Sequence, residues 1–266
     1  MSIDEKILNE LTQQNIEKDR LLELAYQEIQ SAAEYVAAIL PKAVSAGDIT
    51  TDWVYMPSTS IGGDSFGYHR LDDDNFAFYV IDVCGHGVRS ALHSVTILSA
   101  INNTSLERTD FRKPAEVLFA LNNMFPMKEY GEMFFSMFYC VYNRKNHVLS
   151  YAGAGHPPAI IFDAEGGEHT LKSYNRILGF LPGIEFKADS LQLAAPSDIY
   201  LYTDGAYEFP TAENRRGEHE DVFRSVHENR GAEHELQNVY LDSLRRNCEQ
   251  PLKDDFTILK ISINSL

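Results

Sequence analysis

Two apolar stretches without polar alternation limit this chain to few folds. They are Phe76–Ile81 and Met133–Tyr142, and only Ser136 interrupts the second. A strand with one face in water alternates apolar and polar residues, so both stretches are predicted to be strands covered on two faces. The tight connection Arg144–Asn146 favours a hairpin and therefore antiparallel pairing. Because few helical segments are available as cover, the sequence predicts two stacked sheets with helices outside.

The remaining elements follow from composition and turn signals. Further strands are predicted at Asp52–Met56, Val148–Tyr151, Ala159–Phe162, Ser190–Leu193, Ile199–Tyr202 and Phe256–Ile263, and helices at Val88–Asn102, Ala115–Phe125 and Ala232–Asn247. These helices do not alternate regularly with the strands, which disfavours a parallel βαβ sheet. The predicted fold class is therefore α+β with mainly antiparallel sheets.

The N-terminal segment differs from the rest of the chain. Residues 5–40 contain no Gly or Pro, which predicts one long helix that ends before Pro41. Two interpretations are open: a parallel coiled coil that makes a homodimer, with Asn15 setting the register, or a helix whose second half packs on its own domain. The predicted organisation is a linker helix over residues 1–41 and a globular domain over residues 42–266. The core positions of a heptad frame are occupied by Leu8, Leu11, Asn15, Lys18, Leu22, Ala25, Ile29, Ala32, Val36 and Ile39. Eight of these ten residues are apolar.

Charge and cysteine content exclude several classes of function. The 23 basic and 39 acidic side chains give a net charge of −16, which disfavours binding to nucleic acid or to an anionic membrane. No apolar run approaches the roughly 18 residues of a membrane span, and the first residues do not resemble a secretory signal. Three widely spaced cysteines form no disulfide or zinc pattern. A reduced, cytoplasmic protein is expected.

Aspartates adjoin apolar strands at four turns. The four stretches are Ile61-Gly62-Gly63-Asp64, Ile81-Asp82-Val83-Cys84-Gly85, Tyr202-Thr203-Asp204-Gly205 and Asp254-Asp255-Phe256. Any one of them is ordinary turn or helix-capping chemistry. Together they place several carboxylates beside buried strands, where charge is costly unless it is paired or holds a metal. Oxygen ligands alone suit Mg²⁺ or Mn²⁺, and two such ions can activate water for attack on phosphorus.

The same stretches carry a family resemblance. In order along the chain they are Gly62-Gly63-Asp64, Asp82-Val83-Cys84-Gly85-His86-Gly87, Ala154-Gly155-His156-Pro157-Pro158, Tyr202-Thr203-Asp204-Gly205 and Asp254-Asp255-Phe256-Thr257. This series resembles the metal-dependent protein serine/threonine phosphatases (type 2C, PPM family), in the bacterial branch typified by SpoIIE and RsbU. The resemblance extends over about residues 50–264, and the preceding helix resembles the linker helix of many members.

The resemblance implies an α-β-β-α sandwich with two Mn²⁺ or Mg²⁺ ions at one end. By analogy, Asp82 bridges both metals, while Asp64 and the backbone carbonyl of Val83 bind one of them. Asp204 and Asp254 bind the other. Asp255 is the alternative to Asp254, because two adjacent carboxylates cannot be ranked from sequence.

Other residues near these motifs have two interpretations each. His86 is a candidate proton donor or water-orienting residue, or it bonds the turn backbone. His156 is expected to shape a hairpin or sheet corner, and Cys84 to be a small buried thiol. Arg70 and Arg89 are candidates for phosphate binding by their position in the sequence alone.

The resulting hypothesis is a cytoplasmic bacterial phosphatase that removes phosphate from serine or threonine of a regulatory protein. By resemblance, the substrate is a STAS-type anti-sigma-factor antagonist, and the domain is the output module of a signalling protein with an upstream receiver or sensor domain. Two alternatives are open. One is a catalytically silent, phosphatase-like binding module. The other is a different carboxylate-metal hydrolase such as a nuclease, against which the net charge counts.

Overall fold

The computed structural model describes residues 3–103, 105–210 and 215–265. In these ranges the chain forms five α-helices and ten strands. The helices are α1 (Ile3–Ile39), α2 (Val88–Asn102), α3 (Pro114–Met124), α4 (His219–Asn229) and α5 (Glu235–Arg246). The strands are β1 (Ile49–Met56), β2 (Ser65–Arg70), β3 (Asn75–Val83), β4 (Phe135–Asn143), β5 (Val148–Ala154), β6 (Ala159–Asp163), β7 (Glu168–Leu171), β8 (Asp189–Gln192), β9 (Ser197–Tyr202) and β10 (Phe256–Ile263).

The strands form two five-stranded sheets. The first has the order β1-β10-β9-β6-β7 and the second the order β2-β3-β4-β5-β8. Neighbouring strands in both sheets run antiparallel. The predicted α+β fold of two antiparallel sheets with helices is therefore confirmed.

The central pair β3 and β4 explains why the apolar stretches do not alternate. Tyr79 lies opposite Tyr139, and their rings stack with centroids 5.6 Å apart. The Tyr79 hydroxyl donates to Asn102 of α2 at 2.9 Å, and the Tyr139 hydroxyl donates to the Phe111 carbonyl at 3.0 Å. This face of the sheet is therefore covered by the helical layer. Since alternate residues face the other sheet, both faces are dry.

Helices α4 and α5 cover the opposite sheet. Val222 and Val226 of α4 and Leu236 and Val239 of α5 are buried in one apolar cluster with Ile258 of β10. The sequence analysis predicted α5 but not α4, whose eleven residues carry an apolar stripe on an otherwise charged helix. It also missed β2, which contains a glycine, and the exposed edge strand β7.

Helix α1 is a single helix, as predicted, with two different halves. Ile29, Ala32 and Val36 in its second half pack beside Ile61 and Ala91, which agrees with the interpretation that this half contacts its own domain. Side chains from residue 11 to residue 28 are exposed, and those at the heptad core positions Leu11 and Leu22 expose 53% and 58% of their surface. Leu8 lies outside the side chains that the structure describes. The coiled coil remains a prediction.

None of the helices in residues 3–103, 105–210 and 215–265 combines the length and the apolarity that a bilayer crossing requires.

Candidate metal centre

The sandwich brings the predicted aspartates together at one end. Asp82 is the penultimate residue of β3, Asp204 follows β9, and Asp254 and Asp255 precede β10. Burial raises the pKa of Asp82 well above its usual range, and the carboxylates of Asp204, Asp254 and Asp255 raise it further. Among the described residues, Asp82 accepts one hydrogen bond, a long one of 3.5 Å from the Ser136 hydroxyl. The negative charge of this cluster is therefore poorly compensated.

Asp64 is one of the two buried carboxylates, with Asp255, among the five that the sequence identified. Its side chain is buried, and its Oδ2 accepts hydrogen bonds from the hydroxyls of Thr203 at 2.8 Å and Thr257 at 2.6 Å. Burial is the main cause that raises its pKa, and the charges of Asp82 and Asp255 add to the effect. The two threonines fix one oxygen of Asp64 and thereby orient the other.

The adjacent residues Asp254 and Asp255 lie in different environments. Asp255 is buried, and its oxygens accept hydrogen bonds from Ser58 and from the backbone N–H of Gly63. Asp254 is exposed, and its Oδ1 accepts a hydrogen bond from the backbone N–H of Asp255. Although the residue is exposed as a whole, partial burial of the Asp254 carboxyl group raises its pKa, and the nearby His86 opposes the shift. Asp254 therefore faces the open side of the cluster.

Asp204 occupies a 3₁₀ turn that begins directly after β9. Burial raises the pKa of Asp204 to about 6, and the carboxylates of Asp254 and Glu208 contribute. Arg216 lowers it, but this guanidinium also binds Glu208 at 2.5 Å and is 72% exposed. The positive charge that Arg216 offers to Asp204 is thus shared with Glu208 and screened by solvent.

The Val83 carbonyl lies beside the segment that leads to Asp64. A Cβ atom at Gly63 would stand 2.7 Å from this carbonyl oxygen and 3.0 Å from the Ser90 Cβ, so the approach requires glycine. The contact places the Val83 carbonyl next to the same loop as the Asp64 carboxylate.

The donor chemistry of the cluster suits a hard divalent cation, although the side chains do not enclose one. Within the described ranges, no group of three or more His, Cys, Asp or Glu side chains converges closely enough to hold a metal ion. The ligands present are all oxygens, and the pKa values of Asp64, Asp82, Asp204 and Asp254 are raised. Mg²⁺ or Mn²⁺ is the kind of ion that such a set accommodates.

Other candidates from the sequence occupy separate places. His86 is exposed beside Asp254, in the turn before α2. The Arg89 guanidinium donates to the Gly131 carbonyl. Arg70 is at the end of β2 far from Asp64, and it forms an ion pair with Asp48 at 3.1 Å. The structure therefore does not bring Arg70 to the cluster.

The two remaining motif residues have structural partners. His156 is buried, and its Nδ1 donates to the Pro157 carbonyl at 3.1 Å, in the turn between β5 and β6. Cys84 is half-buried, and its sulfur accepts a hydrogen bond from the backbone N–H of Phe134 at 3.3 Å.

Sequence reasoning missed several polar residues of the site. Thr203 and Thr257 both lie inside the motifs quoted above, so their proximity to the aspartates offered a signal. Ser58 and Arg216 lie outside these motifs, and only the folded chain brings them to Asp255 and to Asp204.

Comparison with known proteins places the chain in a family. The family model of stage II sporulation protein E (SpoIIE) matches residues 72–264, a range that includes all of these aspartates except Asp64. The phosphoserine phosphatase RsbU of Bacillus subtilis (strain 168) is 29% identical over 209 residues, which are 77% of this chain and 61% of RsbU. The chain spans about half the length of the curated relatives it matches.

Solved structures share the fold at low sequence identity. The SiaA-PP2C domain of Pseudomonas aeruginosa has a TM-score of 0.76 at 20% identity, with 92% of this chain and 99% of that domain covered. RsbX, solved in complex with magnesium, has a TM-score of 0.60 at 19% identity, with 84% of this chain and 99% of RsbX covered. Because the family match extends over most of the sequence, the chain belongs to the SpoIIE family of PP2C-type domains.

Proposed function

We propose that this protein is a metal-dependent phosphatase that hydrolyses phosphoserine or phosphothreonine on a regulatory protein. The observation that carries the proposal is the cluster of Asp82, Asp204 and Asp254, whose charges lack adequate cations and lie inside the region matched to the family. The name of RsbU, a phosphoserine phosphatase, supports the same chemistry.

The proposed ligands are those that the motifs indicate. Asp82 would bridge two Mn²⁺ or Mg²⁺ ions, with Asp64 and the Val83 carbonyl on one ion and Asp204 and Asp254 on the other. Bound cations supply an activated water and neutralise charge that develops on the phosphoryl group. The magnesium in the RsbX structure supports this choice of ion.

The side chains around the ligands have proposed roles of their own. Thr203 and Thr257 hold Asp64 in one orientation through their hydroxyls. His86, exposed beside Asp254, is proposed to donate a proton to the leaving serine oxygen. The proposed reaction uses water and no nucleophilic side chain, so no phosphoenzyme forms.

The proposed substrate is a phosphorylated STAS-type antagonist of an anti-sigma factor. The support is the family membership and the similarity to RsbU. We also propose a cytoplasmic location, and residues 42–266 as the output domain of a signalling protein with an upstream receiver or sensor domain.

Helix α1 is proposed to connect such a domain to the site. Its Gln30 donates to the Ser60 hydroxyl at 3.1 Å, and Val36 packs with Ile61. Ser60 and Ile61 belong to the loop that ends at Asp64, so a displacement of α1 would reach that carboxylate. The exposed apolar residues of the first half, such as Leu11 and Leu22, support a homodimer through this helix.

Light scattering tests the proposed dimer. Leu22→Glu places a charge at a heptad core position that is exposed in the single chain, so it should convert a dimer to a monomer without loss of folding. Glu23→Lys, on the same exposed stretch but outside the core positions, is the matched control. A wild-type monomer at micromolar concentration would contradict dimerisation.

The activity is tested by hydrolysis of an aryl phosphate with Mn²⁺, with Mg²⁺ and with EDTA. We expect metal-dependent turnover in the wild type and its loss in Asp204→Asn. Full activity in Asp204→Asn would contradict the two-metal mechanism. Metal binding without turnover would favour the silent binding module.

A further inference from the structure

Asp255 is tied to one segment of the chain by three hydrogen bonds. Its Oδ1 accepts from the backbone N–H of Ser58 at 2.7 Å and from the Ser58 hydroxyl at 2.9 Å. Its Oδ2 accepts from the backbone N–H of Gly63 at 2.6 Å. The two oxygens thus hold both ends of residues 58–63, the segment that leads directly into Asp64.

The fit between this segment and Asp255 leaves no spare room. A Cβ atom at Gly62 would stand 2.6 Å from the Asp255 Oδ2 and 2.8 Å from its carboxyl carbon. Any other residue would therefore push the segment away from the carboxylate. The Asp255 side chain is buried, so solvent does not compete for these bonds.

The neighbouring Asp254 has none of these features. It is exposed, and the hydrogen bond that it accepts comes from the next residue in the chain. An ionised carboxylate offers about four acceptor positions, and Asp255 already uses three of them on N–H and O–H donors. Asp254 is the carboxylate with acceptor positions left for a cation.

We infer that Asp255 is a positioning residue, which clamps residues 58–63 so that Asp64 faces the metals, and that Asp254 alone of this pair is a ligand. The inference rests on the proposed function for the metals, but the clamp itself is a contact within the chain. The clamp also explains the glycine at position 62, which lets the backbone close on the Asp255 carboxylate.

Thermal unfolding in EDTA separates a clamp from a ligand. Asp255→Asn keeps an acceptor for Ser58 but turns an N–H₂ group toward the Gly63 N–H, so its Tm in EDTA should fall by about 2–4 °C or more. Asp254→Asn removes one of several repelling charges, so its Tm in EDTA should stay or rise. Ser58→Ala removes one clamp bond and leaves both carboxylates intact, and it should lower the Tm by less than Asp255→Asn does.

Calorimetric titration with Mn²⁺ gives the second readout. Asp255→Asn and Ser58→Ala should still bind the wild-type number of ions, but about 10- to 100-fold more weakly in Asp255→Asn and less so in Ser58→Ala. Asp254→Asn should bind fewer ions. Aryl phosphate turnover should recover at high Mn²⁺ in Asp255→Asn and Ser58→Ala but not in Asp254→Asn.

The opposite pattern overturns the inference. It would be a lost ion in Asp255→Asn with a full number in Asp254→Asn, or a Tm in EDTA that is unchanged in both Asp255→Asn and Ser58→Ala. If wild-type protein binds no Mn²⁺, the proposed function fails, and the Tm values in EDTA still decide whether the clamp exists. An Asp255→Asn protein that does not fold leaves Ser58→Ala to supply both readouts.

Discussion

Among the residues that the structure describes, buried acidic side chains lie in two regions, and cationic side chains bind them in only one of the two. In the first turn of α4, Asp221 is bound by Arg215 at 2.7 and 2.8 Å, and on α5, Glu235 is bound by Lys260 at 3.0 Å. Hydrogen bonds from Arg215 lower the pKa of Asp221 to about 2. At the end of the sandwich, burial raises the pKa values of Asp64 and Asp82, and neighbouring carboxylates raise them further.

The acids with cation partners stabilise the fold, whereas the acids at the end of the sandwich serve the proposed function. An acid that is neutralised within the chain joins two elements of the fold, as Glu235 does when it accepts from Lys260 and from the Tyr200 hydroxyl at 2.6 Å. Acids held together without sufficient cations destabilise the chain that carries them. An external cation that binds these carboxylates would neutralise their charges, which explains why such a cluster is present.

The largest expected effect is on turnover. Asp82→Asn removes the proposed bridging ligand, and a loss of about 4 kcal/mol of transition-state stabilisation lowers kcat/KM by about a thousandfold. Aryl phosphate hydrolysis at saturating Mn²⁺ measures it. Ser136→Ala, which removes the long hydrogen bond to Asp82, should lower the rate by less than tenfold. Equal rates for Asp82→Asn and wild type would contradict the account.

The buried His156 makes the stability of the folded protein depend on pH. Burial lowers the pKa of His156 to about 4, so the folded protein keeps it neutral while the unfolded chain protonates it below about 6.5. The contribution of neutral His156 to the free energy of unfolding is therefore present above pH 6.5. It is lost as the pH falls toward 4, by up to about 3 kcal/mol.

His156→Asn tests this pH dependence, because its amide keeps a donor for the Pro157 carbonyl and does not titrate. Urea unfolding at pH 7 and at pH 4.5 should show a smaller loss of stability in the variant than in the wild type. Equal losses would show that His156 does not carry the effect.

Replacement of an acid that is bound by a cationic side chain should destabilise the protein, whereas in EDTA replacement of Asp204 at the metal centre should not. Asp221→Asn breaks a buried ion pair whose Arg215 is 41% exposed, so we expect a loss of about 1–3 kcal/mol at pH 7. Because the folded pKa of Asp221 is depressed, this stability is lost as the pH falls from about 4 through about 2. Glu116→Gln, in a solvent-exposed pair with Lys113, is the matched control and should lower the stability far less than Asp221→Asn in the same urea titration.

The smallest expected effect is a change in the stability of the metal-free protein, and it compares the two groups of acids directly. In EDTA, Asp204→Asn should stabilise the protein by about 1 kcal/mol, because it removes one charge from a repelling cluster. Urea unfolding at pH 7 measures it beside Asp221→Asn, and a loss in both variants would show that the two regions do not differ.

Much of the fold and the aspartates of the site could be predicted from the sequence. The apolar stretches predicted two covered sheets because their residues leave no face for water, and the strands at Phe76 and Phe256 were placed to within a residue or two. The motifs also predicted the aspartates, and all of them except Asp64 adjoin a predicted strand. Helix α4 was missed because its apolar stripe is short, and β7 because only its last residue is buried.

The pairing of charges could not be predicted. Asp221 and Asp204 are both acids beside short apolar stretches, and nothing in the sequence tells that Arg215 binds one while the other meets Asp254. The roles of Asp254 and Asp255 were undecided for the same reason: Ser58 lies 197 positions from Asp255 and reaches it only through the fold.

The central claim is that the carboxylate end of the sandwich is completed by divalent cations. Its most direct test is the thermal unfolding of wild type and Asp82→Asn in EDTA and in Mn²⁺. At a hundred times the dissociation constant, binding to the folded state adds about 2.7 kcal/mol, so the wild-type Tm should rise by about 5–10 °C. Asp82→Asn should show little of this rise. A wild-type Tm that does not respond to Mn²⁺, or an equal rise in Asp82→Asn, would contradict the claim.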